Sequence, residues 1–163
     1  MKIIRMDEKS VNDFWQLRQQ LFEELSEIES LEDRQKLENT TKEFYLSHIN
    51  KDLISWGVII ENEIIASSSL SLFNRIPYQE NLTGKEGYIL NTYTCPNYRK
   101  QGIASQLLNE MKEYAKQNQI NKLWLSSSEN GIALYKEHGF IEKSNEMEIF
   151  LQGWIDVNKV DRK

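Results

Sequence analysis

Cysteine is nearly absent from this chain of 163 residues: Cys95 stands alone, so no disulfide framework can form within it. Two histidines beside one cysteine leave little for a zinc site. Proline occurs only at Pro77 and Pro96, and there is no repeat or low-complexity tract. No run approaches the ~18 apolar residues of a membrane span, and Met1 to Glu8 carries no apolar leader. The expectation is a cytoplasmic protein with no membrane partner. Basic residues are outnumbered, 20 Lys and Arg against 25 Asp and Glu, for a net charge of −5. Nucleic-acid binding needs a broad basic footprint, so it is excluded as the general function.

What is present suits one soluble domain spanning residues 1–163, with 39% hydrophobic and 28% charged residues. Val11, Phe14, Trp15, Leu21, Phe22, Leu25 and Ile28 recur at helical spacing, behind Ser10 as N-cap. A second helix is expected from Glu32 to Ile49, with Leu37, Phe44, Tyr45 and Ile49 inward. The period then changes. Ile54–Ile60 and Ile64–Leu72 read as a hairpin closed by Glu61-Asn62-Glu63, and Asn74–Lys85 reads as a loop. Tyr88–Thr94 predicts a strand, Gly102–Asn118 a helix, Lys122–Ser126 a strand and Gly131–Glu137 a short helix. Glu146–Leu151 alternates and predicts a last strand. A strand–helix–strand unit in the C-terminal half implies local parallel pairing in an otherwise antiparallel sheet.

The stretch from Tyr88 to Leu108 runs strand, turn, helix, with Asn97-Tyr98-Arg99-Lys100-Gln101-Gly102-Ile103-Ala104 between. A turn entering a helix N-terminus offers unpaired N–H groups and the positive end of a dipole, which is an anion site. Gly102 permits close backbone approach, and Arg99 and Lys100 add charge. The glycine count excludes both a P-loop and a dinucleotide fingerprint. Arg-x-x-Gly-x-Ala alone also fits an ordinary strand-to-helix turn.

Arg99-x-x-Gly102-x-Ala104, followed by Ser105-Gln106-Leu107-Leu108, resembles motif A of the GNAT acyltransferase superfamily. Leu134-Tyr135-Lys136-Glu137-His138-Gly139-Phe140 resembles the end of its motif B at the right interval. Ser128-x-x-Gly131-x-x-Leu134-Tyr135 is similar to a subset of the family, with Ser128 where an Asn is usual. The resemblance is close from Tyr88 to Phe140; before that it rests on the order of elements. It implies a single-domain α/β (α+β) fold, a mixed, mostly antiparallel sheet of about six or seven strands flanked by about four helices. It implies acetyl-CoA as co-substrate and direct N-acetyl transfer to a primary amine of a small molecule.

By that resemblance, Arg99, Lys100 and the amides of Gln101, Gly102, Ile103 and Ala104 hold the pyrophosphate. Thr92, Tyr93 and Thr94 splay at a bulge and pair with the pantetheine arm, and an amide near Tyr93 serves as oxyanion donor. Ser128 and Gly131 complete the cofactor-binding set. Tyr135 is the catalytic acid, since a phenol of pKa ~10 can protonate a departing thiolate. The family's usual glutamate position holds Tyr88, which leaves Glu86, two residues earlier on the same strand face, as the candidate base. His138, His48 and Cys95 read as structural or solvated. Trp15, Arg18, Phe22 and the acidic run Glu23–Asp33 are expected to line the acceptor site with the loop Phe73–Lys85. Arg18 either snorkels or binds a substrate carboxylate. The alternatives are a protein or peptide N-terminal acetyltransferase and a non-catalytic acyl-CoA-binding regulatory module. No metal is expected. A homodimer is an option that the aromatic tail around Trp154 would serve.

Overall fold

β-Branched and aromatic residues alternating from Leu53 onward build the sheet. In the computed structural model, which describes residues 1–143 and 145–151, β1 (Lys2–Arg5), β2 (Leu53–Ile60), β3 (Glu63–Asn74), β4 (Lys85–Thr94) and β5 (Lys122–Trp124) lie in that spatial order. All neighbours are antiparallel except β4 and β5, which run parallel. β2 and β3 are joined by Glu61 and Asn62, with φ of 51° and 69°. Two successive left-handed residues give the two-residue turn whose twist matches a hairpin. The parallel pair requires a crossover, supplied by α3 (Ile103–Gln117).

Two helices precede the hairpin, α1 (Val11–Glu24) and α2 (Leu31–His48). Ser10 occupies the N-cap position of α1, but its side chain does not cap that helix. Its Oγ instead accepts the Asp7 N–H at 3.4 Å, closing a capping box on a preceding 3-10 turn. α1 ends four residues before the expected Ile28, because Ser26 turns left-handed at φ 56°. Ser30 then caps α2, accepting from Asp33 N–H at 3.1 Å. Tyr45 is fully buried, whereas Phe44, expected inward, is 48% exposed and stacks on His48 at 4.1 Å. Consecutive helical residues diverge by about 100°, and here Tyr45 takes the inward direction while Phe44 turns outward.

The sheet therefore has two covered sides. Leu107, Leu108 and Met111 of α3 pack on Ile54, Leu70 and Ile89. On the other side Met6, Phe14, Tyr45, Ile49 and Leu53 form a core under α1 and α2.

These elements belong to one compact unit, Met1–Leu125; the second, Ser126–Lys163, is described by itself. It holds a 3-10 turn, Glu129–Gly131, and α4 (Ile132–Glu137). The sheet has five strands, fewer than the six or seven expected. Glu146–Leu151 is not a strand: Met147 and Ile149 are 99% and 80% exposed, and no ladder partner pairs with the segment among the described residues. Alternation marks a face, but a strand exists only where another chain segment accepts its hydrogen bonds. Trp154 lies outside the described residues. No helix among them is long and apolar enough to cross a membrane.

Candidate active site

β4 and β5 pair over only three residues, Glu86↔Lys122, Gly87↔Leu123 and Tyr88↔Trp124. Beyond Tyr88, β4 continues to Thr94 with its β5-side edge free of any strand among the described residues. At this point the register against β3 slips between Ser67 and Ser69, and Asn91 takes φ 56°. Such a bulge redirects the side chains that follow it. Pairing with β5 ends at Tyr88, four residues before Thr92, and the bulge falls at Asn91.

The chain leaves β4 through Cys95 and a 3-10 turn at Pro96–Tyr98, then enters α3. Lys100 and Gly102 are both left-handed, with φ of 59° and 76°. The first helical bond runs from Gln106 N–H to the Gly102 carbonyl at 3.1 Å, so the amides of Gln101 to Ser105 have no carbonyl behind them. A Cβ built on Gly102 would meet nothing within 4 Å. The turn is thus an exposed amide cradle with room in front, and it fits a pyrophosphate. Ile103 contributes only its backbone, its side chain being buried, and Ala104 is half-buried. Lys100 is exposed, and Gln101 Nε2 donates to the Asn97 carbonyl at 3.4 Å.

Arg99 has protein partners in α1 and β4. Its Nη2 donates to both oxygens of Glu24 at 2.7 and 2.8 Å, its Nε donates to the Thr94 carbonyl at 2.8 Å, and it lies over the Tyr93 ring. Tyr93 donates its hydroxyl to the same Glu24 carboxylate at 2.6 Å. The Arg99 hydrogen bond, then that of Tyr93, holds the Glu24 carboxyl below its ordinary range. Burial, then Glu24, pushes the Tyr93 phenol above its own. Glu24 therefore ties the end of α1 to the end of β4. Thr92 Oγ1 turns to the α3 side and bonds Ser68 Oγ at 2.6 Å. Cys95 reaches Gln20 through a 3.7 Å contact, and burial raises its thiol, so it makes a poor nucleophile.

Glu86 is fully buried. Its Oε1 accepts the Tyr78 hydroxyl at 2.9 Å, while Oε2 has Arg75 at 3.6 Å and Lys122 at 3.8 Å but no hydrogen bond. Tyr78 comes from the loop after β3, which folds back on itself through paired bonds between Tyr78 and Asn81. Tyr88, at the family's glutamate position, stands edge-on to Trp124 at 4.7 Å.

Arg18 lies over Phe22, and its Nη1 donates to Asn91 Oδ1 at 3.1 Å. Burial lowers its pKa, and the charge of Glu27 opposes that. Arg18 Nε, Asn91 Nδ2, Ser67 Oγ, Glu86 Oε2 and Trp124 Nε1 are buried with no hydrogen-bond partner. The register puts all five on the side of the sheet that α1 covers. Sequence reasoning missed this convergence and the Glu24 tether. The signal for the first was present: Ser67, Ser69 and Ser71 alternate within β3 and so share one face.

In the second unit, Gly131 N–H donates to the Ser128 carbonyl at 2.9 Å. A Cβ on Gly131 would come within 2.8 Å of Ser127 Oγ and 3.3 Å of the Tyr135 ring, so glycine permits that approach. Tyr135 is half-buried and packs edge-on against Phe140 at 5.5 Å. His138 ends α4, and His48 pairs with Asp52 at 2.7 Å. Among the described residues no cluster of His, Cys, Asp and Glu could hold a metal ion.

A model of the acetyltransferase (GNAT) family matches residues 12–140. No curated protein matches the chain. Among solved structures, a predicted acetyltransferase from Clostridium acetobutylicum, crystallised with acetyl-CoA, is 28% identical at a TM-score of 0.83, over 92% of this chain and 96% of that one. A GCN5-related N-acetyltransferase from Ralstonia eutropha is 20% identical at a TM-score of 0.83, over 93% and 99%. An aminoglycoside 6'-N-acetyltransferase from Acinetobacter haemolyticus is 21% identical at 0.63, over 96% and 100%, and shares the fold. The chain belongs to the GNAT family of acetyltransferases, enzymes whose acyl donor is acetyl-CoA.

Proposed function

We propose that this enzyme acetylates the primary amine of a small molecule by direct transfer. The observation that carries the reading is the run of free strand edge, Asn91 bulge and amide cradle at Gly102, beside a buried polar face. Acetyl-CoA supplies the acetyl group as a thioester: the C–S bond breaks, a C–N bond forms, the amine gives up one proton and the thiolate takes one.

In this reading the amides of Gln101 to Ala104 and the Lys100 ammonium hold the pyrophosphate, with Arg99 bracing the turn. The β4 edge at Thr92, Tyr93 and Thr94 receives the pantetheine arm, and Ser128 and Gly131 complete the binding set. Tyr135 protonates the thiolate, a role drawn from the Leu134-Tyr135 motif. Glu86 is the base, reached from the amine through a chain of waters; Tyr78 hydrogen-bonds one of its oxygens, and the other lies beside Arg75 and Lys122 without a hydrogen bond. A small acceptor suits a site whose unpaired polar atoms are buried rather than spread along a surface.

Acetyl-CoA should raise the melting temperature where AMP does not, and Gly102→Leu should abolish that shift by filling the cradle. Tyr135→Phe should keep the shift and lower turnover ~10²-fold or more, measured as thiol release over an amine panel. Full turnover in Tyr135→Phe removes that residue from its role, and no shift in the parent removes the donor site.

A further inference from the structure

Three of the five unpartnered buried atoms belong to residues at the β4 bulge and the β3 stretch opposite it. Asn91 sits in the β4 bulge opposite the β3 stretch between Ser67 and Ser69, and Arg18 reaches it from α1. A guanidinium has only donors, so it holds the Asn91 amide with its oxygen toward Arg18 and its NH2 turned away. What remains is Arg18 Nε–H, two Asn91 Nδ2 protons and the Ser67 hydroxyl, all able to donate and all unpaired. Asn91 is 5% exposed and Ser67 is fully buried. Neighbouring Ser69 is satisfied by Ser55 at 2.7 Å and does not compete. The carboxylates on the same side are committed. Glu24 is held by Arg99 and Tyr93, and Glu86 lies five residues down β4, about 16 Å away, among Tyr78, Arg75 and Lys122. Glu27 acts on Arg18 through its charge and forms no hydrogen bond with it.

Burying donors without acceptors is costly, and a buried guanidinium lacking a hydrogen-bonded anion is more so. Convergent donors around one positive charge are the complement of a carboxylate, which has two acceptor oxygens and one negative charge. We infer that the acceptor amine carries a carboxylate, bound by Arg18, Asn91 and Ser67. The inference rests on the N-acetyltransferase reading and narrows its substrate class to amino acids and their close analogues.

The test uses amines paired so that only the carboxylate differs: leucine with 3-methylbutylamine, phenylalanine with 2-phenylethylamine, lysine with 1,5-diaminopentane. Each is offered to the full chain with acetyl-CoA, and thiol release is followed. For at least one pair the acid should be preferred in kcat/KM by tenfold or more, mainly through KM. In Arg18→Gln that ratio should fall to near one while the acetyl-CoA melting shift is kept; comparing ratios cancels differences in amine basicity. Ser67→Ala, which removes one donor and little volume, should lower the ratio part of the way and decides the matter if Arg18→Gln does not fold. A ratio of one or less in the parent, a ratio untouched by the variants, or no turnover with any pair overturns the inference. Loss of the acetyl-CoA shift in the parent would instead strike the acetyltransferase reading itself.

Discussion

The two sides of the sheet are built to opposite rules. Toward α3, Ile54, Leu70 and Ile89 meet Leu107, Leu108 and Met111, and the buried Ser68 hydroxyl bonds that of the half-buried Thr92. Toward α1, the same strands present Ser55, Ser67, Ser69, Glu86 and Asn91, and every unpartnered buried polar atom among the described residues lies on that side. One face is apolar core with its few hydroxyls paired; the other sets buried polar groups without partners beside the apolar cluster of Met6, Phe14, Tyr45, Ile49 and Leu53. Interiors satisfy nearly all their polar atoms, so a cluster of exceptions on one face marks where a ligand is to supply the missing bonds. Unsatisfied polarity is thus confined to one face of the sheet, while both faces carry apolar packing.

Substitutions should separate them. Leu107→Ala, on the apolar side, leaves a cavity and should cost ~2–5 kcal/mol in denaturant unfolding, with little change in preference for one acceptor over another. A loss under 1 kcal/mol would mean that the α3 side is not the structural core.

The Glu24 tether should have a smaller, pH-dependent effect. A lowered carboxyl contributes stability above its unfolded value, near the ordinary 4.5, and loses it as pH falls through the lower folded value. Glu24→Gln should therefore melt somewhat lower at neutral pH and converge with the parent under acid. Both partners are about two-fifths exposed, so solvent screening limits the effect to ~1 kcal/mol or less. Melting curves of equal separation at pH 7 and pH 3 would refute the tether.

Ser67→Ala should be the mildest for stability, within ~0.5 kcal/mol of the parent or slightly above it, because it removes an unpaired hydroxyl. A loss of 2 kcal/mol would show that Ser67 has a structural partner and would erase the contrast between the faces.

Much of this was legible beforehand, for local reasons. The hairpin at Glu61 and Asn62, the helix beginning after Gly102 and the strand–turn–helix motif all depend on residues close together in the chain. Other features were not legible. Ser10 fits an N-cap pattern, yet its hydroxyl serves Asp7; Phe44 fits the inward stripe, yet Tyr45 takes the core. In each case two local options were nearly equal, and packing chose.

Glu146–Leu151 shows the limit from the other direction. Its alternation is as regular as that of β4, but β4 lies against β3 and this segment lies against no strand among the described residues. The motif around Arg99 likewise put a cation at the turn, but nothing near it in sequence announced its ion pair with Glu24, 75 residues earlier.

The amino-acid sequence by itself determined an acidic, disulfide-free chain, its helical and strand periods, and an amide cradle entering α3 at Gly102. Those properties follow from composition and from neighbours a few residues apart. Only the tertiary structure decided which polar groups are buried together. Arg18 and Asn91 are 73 positions apart and meet because α1 crosses the β4 bulge. Desolvation, which leaves their donors unpaired, is a property of that enclosure and of no local segment.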